Sequence, residues 1–288
     1  MMSSEIIVVH SIAEVQDIVG ARRSEGLRIG FVPTMGNLHG GHLTLVEKAK
    51  QNCDFVVVSI YVNPLQFGPN EDYDSYPRTM EQDQQLLNEH DVDLLYAAST
   101  REIYPEGSEN HTHVSVDILD SMHCGKTRPG FFRGIATVVT KLFNIVRPDV
   151  AVFGEKDFQQ LTIIRKMVRD MCIPVEILGA PIARESTGLA MSSRNGYLTR
   201  EERENIAPKL YQCLSEARRA IQAGETDLDL LRRNAFAKMA QAGFKPDYFN
   251  ICNPQTLLPA THDEQSLVIL AAGYFGKARL IDNLRFDR

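Results

Sequence analysis

The sequence predicts an α/β protein with a parallel sheet, because short apolar segments alternate with helical patterns along residues 5–178. Continuous apolar runs of this length are typical of strands that are buried on both faces. They lie at residues 5–9, 28–32, 55–62, 94–97, 150–153 and 175–178. Helical patterns fall between them, at residues 12–23, 43–51, 78–89, 134–146 and 158–171. Such an alternation makes right-handed crossovers between parallel strands.

The character of the chain changes near residue 182. A loop of small and polar residues, 184–195, precedes a helix-rich stretch at 200–243 and short strand patterns at 248–252 and 266–272. A length of 288 residues suits one large domain followed by a smaller one. We therefore expect a Rossmann-like parallel-sheet domain at residues 1–182 and a smaller α+β domain at 183–288 that closes over it.

Composition narrows the class of protein. The net charge of −6 disfavours a nucleic-acid partner, because phosphate backbones require a basic surface, although a local cationic cleft could still bind an anionic substrate. The five cysteines are scattered without a CxxC pair, which is typical of a reducing compartment. Acidic residues interrupt the apolar N-terminal segment, and no apolar run reaches the ~20 residues that span a bilayer. We therefore expect a cytoplasmic protein with no membrane partner.

Two histidines, His39 and His42, follow the second predicted strand. We expect that strand to end near Val32, with Pro33 and Gly36 turning the chain and a helix beginning near residue 41. In a parallel sheet, ligands bind beyond the carboxyl ends of the strands, where such helices begin. The spacing of the two histidines places both imidazoles on nearly the same side of the first helical turn.

This turn has the chemistry of a phosphate site. Gly40 and Gly41 allow the backbone to approach an anion closely, and a helix N-terminus offers free N–H groups and a partial positive charge. Imidazoles can donate to phosphate oxygens and gain positive charge in the transition state at modest cost. A buried structural pair and a metal site are the alternatives. A metal would need a third ligand, for which the available residues are His111, His113, His123 and Cys124.

The segment "AMSSRN", residues 190–195, follows the last predicted parallel strand and contains small hydroxyl residues beside a cation. Ser192 and Ser193 can donate hydrogen bonds to phosphate oxygens. Arg194 can neutralise the charge of a leaving pyrophosphate. A solvated linker between domains is the alternative interpretation.

The segment "FGEKDFQQL", residues 153–161, follows an apolar strand and opens a helix. Gly154 lies at the strand end, Lys156 is positioned to meet a phosphate, and Asp157 can cap the helix. Gln160 lies one turn further along and faces the same cleft. Ordinary helix capping beside a surface lysine is the alternative.

The segment "SIYVNPLQF", residues 59–67, begins as a strand and breaks at an Asn-Pro pair. Asn63 and Gln66 then lie at the carboxyl edge of the sheet, where neutral amides suit a substrate with both hydroxyl and carboxylate groups. A turn with a solvated glutamine is the alternative. Neither a complete P-loop nor a GxGxxG fingerprint occurs, so a dinucleotide cofactor has no support.

These segments together resemble a known family. "HGGH" after a strand is similar to the HxGH signature of class I aminoacyl-tRNA synthetases and nucleotidylyltransferases. The ordered set of motifs across the chain resembles the pantoate–β-alanine ligases, through "PTMGNLHGGH", "VNPLQFGPNEDYDSYPRT", "RPGFFRG", "KLFNIVRPDVAVFGEKDFQQL", "LAMSSRNGYL" and "RLIDN". Several ordered motifs are far more specific than any one of them.

The resemblance implies a reaction in two steps. The carboxylate of (R)-pantoate attacks the α-phosphate of ATP, giving pantoyl adenylate and pyrophosphate. The amine of β-alanine then attacks the mixed anhydride and releases pantothenate and AMP. Mg²⁺ accompanying ATP is implied, with acidic residues in the 71–83 stretch as possible helpers, and so is a homodimer through the N-terminal domains.

The resemblance also implies the site residues. His42 corresponds to the catalytic proton donor, and we expect His39, Lys156 and Arg194 to stabilise charge beside it. Three segments and an isolated backbone position are implied to contact ATP: Met35, Gly36, Asn37, Leu38, His39, Gly40, Gly41 and His42; Gly154, Glu155, Lys156 and Asp157; Met191, Ser192, Ser193 and Arg194; and Ala183. Gln66 is implied to meet pantoate and β-alanine and Gln160 to meet pantoate, and we place Asn63 with them.

One position departs from the family pattern. The family commonly has histidine after the glycine of "RPGHF", whereas this chain has Phe131. Because phenylalanine cannot donate a hydrogen bond or carry charge, any polar role there is lost or taken by a neighbour, which affects the surroundings of Arg128 and Arg133.

Three rival functions remain. A tRNA-charging enzyme would need an anticodon-binding extension and a basic surface, which this length and charge do not supply comfortably. A plain nucleotidylyltransferase would have no use for a second substrate pocket around Gln66 and Gln160. A catalytically silent nucleotide-binding protein is disfavoured by His42, Lys156 and Arg194.

Overall fold

The computed structural model describes residues 5–68 and 71–288, so the first four residues of the predicted N-terminal domain lie outside the described residues. One parallel sheet contains β1 (Ile7–Val9), β2 (Ile29–Thr34), β3 (Phe55–Ile60), β4 (Leu94–Ala97), β5 (Val150–Gly154) and β6 (Glu176–Ala180). The strand order is β1-β4-β3-β2-β5-β6, and each neighbouring pair is parallel. The predicted Rossmann-like sheet is confirmed, and each predicted strand overlaps an observed one.

The sheet is apolar on both faces, which explains why its strands are continuous apolar runs. Successive residues of a strand point to opposite faces. Phe31 and Val57 pack in the core on one face, and Val32 and Val58 pack in the core on the other, all at 0% exposure.

Helices cover both faces of the parallel sheet, and α8 and α9 lie in the C-terminal part of the chain. Their bounds are α1 (Ile12–Ser24), α2 (Gly40–Lys50), α3 (Met80–Glu89), α4 (Thr100–Ile103), α5 (Cys124–Thr127), α6 (Phe131–Val146), α7 (Phe158–Asp170), α8 (Lys209–Gln222) and α9 (Leu228–Gln241). The one-turn helices α4 and α5 were not predicted. Helix α6 begins three residues before the predicted start at Gly134, directly after Gly130, whose φ of 83° ends the preceding turn.

The placement of Pro33 differs from the prediction. Pro33 lies inside β2, in register with Ser59 of β3, rather than in the turn. Proline has no N–H to give to a ladder, so it is tolerated where a strand has one neighbour. The ladder between β2 and β5 covers Gly30 and Phe31, so at Pro33 the strand is paired with β3. The strand therefore ends at Thr34, two residues later than predicted.

The C-terminal part forms an antiparallel sheet of β7 (Lys245–Cys252), β8 (Ser266–Phe275) and β9 (Ala278–Asp287), in the order β7-β8-β9. Helices α8 and α9 pack against it around a separate core. Strand β9 was not predicted. Leu257, Val268 and Leu270 belong to the main core of the parallel-sheet domain, so the two parts share an apolar contact.

All five cysteines are free thiols. Among the helices of the described residues, none is both long enough and apolar enough to cross a membrane.

The sheet topology creates a crevice between β2 and β5. From β2 the chain continues to β3 and β4 on one side, whereas β5 and β6 lie on the other side. In open α/β sheets, ligands bind outside the carboxyl ends of the strands at such a switch point. The segment with the two histidines follows β2 and the segment with Lys156 follows β5, so both open into this crevice.

Candidate active site

A cleft of about 1040 Å³ lies between the carboxyl edge of the parallel sheet and the C-terminal part. Most of the predicted site residues line it: Met35, His39, Gly41, His42, Gln66, Gly154, Lys156, Asp157, Gln160, Ala183, Met191, Ser192, Ser193 and Arg194. Residues from five segments that are far apart in sequence are therefore brought together. Other predicted residues lie behind this lining: Gly36, Asn37, Leu38, Gly40, Glu155 and Asn63.

His39 and His42 cap the N-terminus of α2 reciprocally. The His39 Nδ1 accepts from the backbone N–H of Gly41 at 3.1 Å, and the His42 Nδ1 accepts from the backbone N–H of His39 at 3.3 Å. Any larger residue at position 41 would displace the His39 ring, because a β-carbon there would lie 2.9 Å from it. The two ring centroids are 4.1 Å apart.

These caps define the tautomer of each ring. A neutral imidazole carries its proton on one nitrogen and accepts on the other. Because the Nδ1 atoms of His39 and His42 accept from backbone N–H groups, the proton of each neutral ring lies on Nε2. Both histidines line the cleft, so the pair supplies N–H donors for an anion at the helix N-terminus.

Both imidazoles are held neutral. Burial lowers the pKa of His39 from 6.5 to about 4, assisted by the positive charge of Lys156 and opposed by Asp157 and Glu185. Burial lowers the pKa of His42 to about 3, assisted by His39 and Lys156. In the protein without ligand, burial beside a lysine therefore opposes protonation of the pair, and the expected gain of positive charge in the transition state stays a prediction.

The carboxylate of Asp83 holds the turn between β2 and α2, a structural role that could not be predicted from the sequence. Asp83 of α3 is 2% exposed and accepts from the backbone N–H of Asn37 at 2.9 Å and of Leu38 at 2.7 Å. The Asp83 carboxylate also accepts from the hydroxyl of Thr79, at 3.1 Å. Asp83 thus fixes the two backbone positions that precede His39, and no local pattern could show a partner 45 residues away.

Lys156 lies in a turn, Glu155–Asp157, that joins β5 to α7. Its ammonium is 3.7 Å from the Asp157 carboxylate, and its charge acts on both imidazoles. The side chain of Glu155 turns away from the cleft toward β6, where a β-carbon on Gly179 would lie 2.8 Å from its Oε1.

The loop that contains Met191 and Arg194 packs onto the histidine segment. Met191 pairs with Ala183 through a backbone hydrogen bond of 2.9 Å, and its side chain lies beside Gly40 and Gly41. The Ser193 hydroxyl donates to the carbonyl of Asn37 at 3.3 Å. The two predicted ATP segments at residues 35–42 and 191–194 are therefore in direct contact.

Ser192 and Arg194, from the same loop, also line the cleft. The Ser192 Oγ caps the following turn by accepting from the backbone N–H of Arg194 at 3.3 Å. The Arg194 guanidinium donates to Asp72 at 3.2 Å, and Tyr197 donates to the same carboxylate at 3.1 Å. Burial alone would raise the pKa of Asp72, but the charge and hydrogen bond of Arg194 bring it below its ordinary value.

Asn63 supports Gln66 rather than facing the cleft, which corrects the expectation that it contacts substrate. Asn63 is 0% exposed, and its Oδ1 accepts from the N–H of Leu65 and the hydroxyl of Tyr104, each at 3.3 Å. Its Nδ2 therefore donates to the carbonyl of Gly134 and to the Gln66 Oε1, at 3.3 and 3.2 Å. This arrangement leaves the Nε2 of Gln66 as the donor that Gln66 can present to a substrate.

Phe131 has a structural role beside Arg128. Its ring stacks on the Arg128 guanidinium, 3.6 Å from its centroid. Arg128 Nε donates to Glu71 at 2.6 Å, its Nη2 contacts the same carboxylate, and Nη2 also donates to the Gln66 carbonyl at 3.0 Å. Aromatic stacking and a carboxylate thus fix Arg128 beside Gln66.

The acidic stretch at 71–83 does not form a metal cage. Glu71 is paired with Arg128, Asp72 with Arg194, and Asp83 with backbone N–H groups. Within residues 5–68 and 71–288, no cluster of three or more His, Cys, Asp or Glu side chains is arranged to hold a metal ion. The acidic residues of this stretch are therefore engaged by other groups and do not fit a protein-held Mg²⁺.

The fold and the site define a nucleotide-binding α/β enzyme of the HxGH class. The sequence model of the family described as pantoate-beta-alanine ligase matches residues 7–285. The chain belongs to this family. A pantothenate synthetase of Marinobacter nauticus is 52% identical over 280 residues, covering 97% of this chain and 99% of the relative.

Solved structures agree with this assignment. The crystal structure of the Thermus thermophilus pantothenate synthetase has a TM-score of 0.88 and 46% identity, covering 97% of this chain and 99% of that one. The Francisella tularensis pantoate-beta-alanine ligase, described as complexed with beta-gamma ATP and beta-alanine, has a TM-score of 0.78 and 38% identity, covering 97% of each chain. The predicted family and reaction, the ATP-dependent ligation of pantoate and β-alanine, are confirmed.

Proposed function

We propose that the cleft carries out this ligation through a pantoyl adenylate, with ATP bound between the α2 N-terminus and the loop at residues 191–194. The observation that carries the proposal is the reciprocal cap of His39 and His42, which directs two neutral Nε2–H donors into the cleft. Donors that are already oriented stabilise charge that develops on a phosphate without reorganising at the moment of reaction.

In the first step, the pantoate carboxylate attacks the α-phosphate of ATP and pyrophosphate leaves. The carboxylate is already ionised near pH 7, so the attack needs no general base. Negative charge grows on the α-phosphate beside His42 and on the leaving pyrophosphate beside Lys156 and Arg194. We assign the catalytic roles to His42, His39, Lys156 and Arg194, each as a donor to phosphate oxygens. Removing one such donor typically costs about 10²–10³ in rate.

Arg194 must exchange partners when ATP binds. Its guanidinium is paired with Asp72 in this structure. A triphosphate offers a higher negative charge than one carboxylate, so it competes for Arg194. The backbone and hydroxyl groups of Met191, Ser192 and Ser193 then line the phosphate side of the cleft, opposite residues 35–42.

Pantoate lies against Gln66 and Gln160 in this proposal. The Nε2 of Gln66 can donate to a carboxylate or hydroxyl, and Asn63 fixes its orientation from behind. In the second step, the β-alanine ammonium loses a proton and the free amine attacks the acyl carbon of the adenylate. The tetrahedral intermediate then loses a second proton from nitrogen and collapses, the bond between the acyl carbon and the phosphate oxygen breaks, and AMP leaves. Contact between the loop at 191–194 and the histidine segment limits the access of water to the anhydride.

Further proposals concern the setting of the reaction. We propose that Mg²⁺ arrives on the ATP phosphates, since it is commonly bound through substrate phosphates. We place the domain boundary near residue 182, since β6 ends at Ala180 and the C-terminal core begins at Leu189, with a hinge at residues 180–190 and residues 183–288 as the lid domain. A homodimer and a cytoplasmic location follow from the family resemblance.

The test is product formation by the purified protein. With ATP, Mg²⁺, (R)-pantoate and β-alanine we expect AMP and pantothenate in equal amounts. His42→Ala should lower the rate by ~10² or more because it removes a donor to the phosphate. His10→Ala is a matched control, since His10 bonds to the carbonyl of Ala97 away from the cleft lining. ATP binding without AMP release under any condition would contradict the proposal.

A further inference from the structure

Strand β9 contains two buried polar residues that the reaction described above does not use. Asp282 is 5% exposed and Asn283 is 3% exposed. They belong to the "RLIDN" segment near the end of the chain. Because a buried polar group is costly unless it is hydrogen-bonded, the partners of these side chains indicate what they do.

Asn283 holds the turn that contains Lys156. Its Nδ2 donates to the carbonyl of Glu155 and to the carbonyl of Lys156, each at 2.8 Å. Both partners are acceptors, so the atom that faces them must be the amide nitrogen rather than the oxygen. One side chain from the C-terminal sheet therefore satisfies two carbonyls of the turn between β5 and α7.

Asp282 holds the segment at residues 183–184, which contains the proposed backbone contact to ATP at Ala183. Its carboxylate accepts from Arg184 in a two-point contact, at 2.7 and 2.9 Å, and also accepts from the backbone N–H of Asn283 at 2.7 Å. Arg184 follows Ala183 directly and stacks on the Tyr211 ring, 3.7 Å from its centroid. Two adjacent residues of β9 are thus bonded to both sides of the proposed ATP site.

The Lys156 ammonium depends on its backbone for its position. Among the ion pairs of the described residues, its partner is Asp157, at the long distance of 3.7 Å. A lysine stem has four carbons and little intrinsic rigidity. A misplacement of 1 Å in a reacting geometry can cost about a hundredfold in rate. The hydrogen bonds from Asn283 to the two carbonyls of the turn therefore help to determine where the Lys156 ammonium contacts a phosphate.

We propose that Asn283 is a positioning residue, through which the C-terminal sheet sets the place of Lys156 against ATP. This inference rests on the proposed function of Lys156. Asn283 acts on adenylate formation through Lys156, so its contribution disappears when the lysine ammonium is absent. Residues that act as a unit show such strong non-additivity.

The experiment is a double-mutant cycle of Asn283→Ala and Lys156→Met, measured by pantoate-dependent exchange of pyrophosphate into ATP. We expect Asn283→Ala to lower the exchange rate about ten- to a hundredfold in the wild-type background. In the Lys156→Met background the same change should lower it less than threefold. Asn283→Ser, which keeps one shorter donor, should give an intermediate rate and serves if the alanine variant does not fold.

Asn250→Ala is the matched control. Asn250 is also an asparagine of the C-terminal sheet, and its amide also reaches the other domain, where it bonds to His123 at 2.9 Å. It should leave the exchange rate within about threefold of wild type. Equal losses from Asn283→Ala in both backgrounds, or no loss in the wild-type background, would overturn the positioning role alone. An unchanged rate in Lys156→Met would instead overturn the role of Lys156 and the positioning role with it.

Discussion

Protonation of the paired histidines should destabilise the fold as the pH falls. The pKa values of His39 and His42 are about 4 and about 3 in the folded protein, against about 6.5 in an unfolded chain. The unfolded state therefore binds more protons between these values, and stability falls as the pH decreases through 6.5. The stabilising contribution is fully present above pH 6.5 and is lost progressively towards pH 4 for His39 and towards pH 3 for His42.

The magnitude follows from linkage. Between pH 7.5 and 5.5 an unfolded histidine gains about one proton, whereas a folded group with a pKa of about 4 remains neutral. One pKa unit corresponds to about 1.4 kcal/mol, so each ring should remove roughly 1 kcal/mol of unfolding free energy over this interval. Because the rings are partly exposed, solvent screening makes this loss smaller than it would be in a fully desolvated site.

The assay compares urea unfolding at pH 7.5 and pH 5.5 for the wild type, His42→Asn and His262→Asn. The pH-dependent loss should be smaller by about 1 kcal/mol in His42→Asn, because that variant has no imidazole to protonate. His262→Asn, a change at an exposed ring, should keep the wild-type loss. An identical pH-dependent loss in all three proteins, or an NMR titration of the His42 ring above pH 6, would refute the reasoning.

Three further predictions test the site. Gly41→Ala should lower the ligation rate at least tenfold, because its β-carbon would lie 2.9 Å from the His39 ring. Gly20→Ala, at an open position of α1 away from the cleft, should stay within threefold. Equal rates in the two would contradict the account. Asp83→Ala should lower the free energy of unfolding by about 2–4 kcal/mol in urea titration, since it leaves the N–H groups of Asn37 and Leu38 unpaired. A change below 1 kcal/mol would show that Asp83 does not hold this turn. Phe131→Ala should raise the KM for β-alanine or pantoate about fivefold, from the loss of ~1 kcal/mol of stacking, with the KM for ATP unchanged; an effect confined to ATP would show that this reasoning is wrong.

The parallel sheet could be predicted because local composition determines it. Strands such as β3 and β4 are buried on both faces, so each appears as an uninterrupted apolar run. Strand β9 could not be predicted in the same way. It buries Asp282 and Asn283, whose partners lie about a hundred or more residues away and leave no local pattern.

The candidate site was also predictable only in part. The segments that line the cleft could be found in the sequence, because each follows a strand and carries residue types that suit phosphates. Roles that depend on neighbours far away in the sequence could not be predicted. Asn63 looked like a substrate contact but is fully buried behind Gln66, and the desolvation of the histidine pair beside Lys156 has no signal in the local sequence.

The central claim is that the cleft makes an acyl adenylate before it uses the amine. The most direct measurement is the exchange of labelled pyrophosphate into ATP with (R)-pantoate present and β-alanine absent. The account predicts exchange that depends on pantoate and falls by ~10² or more in His42→Ala. Exchange that requires β-alanine, or that proceeds without pantoate, would contradict it.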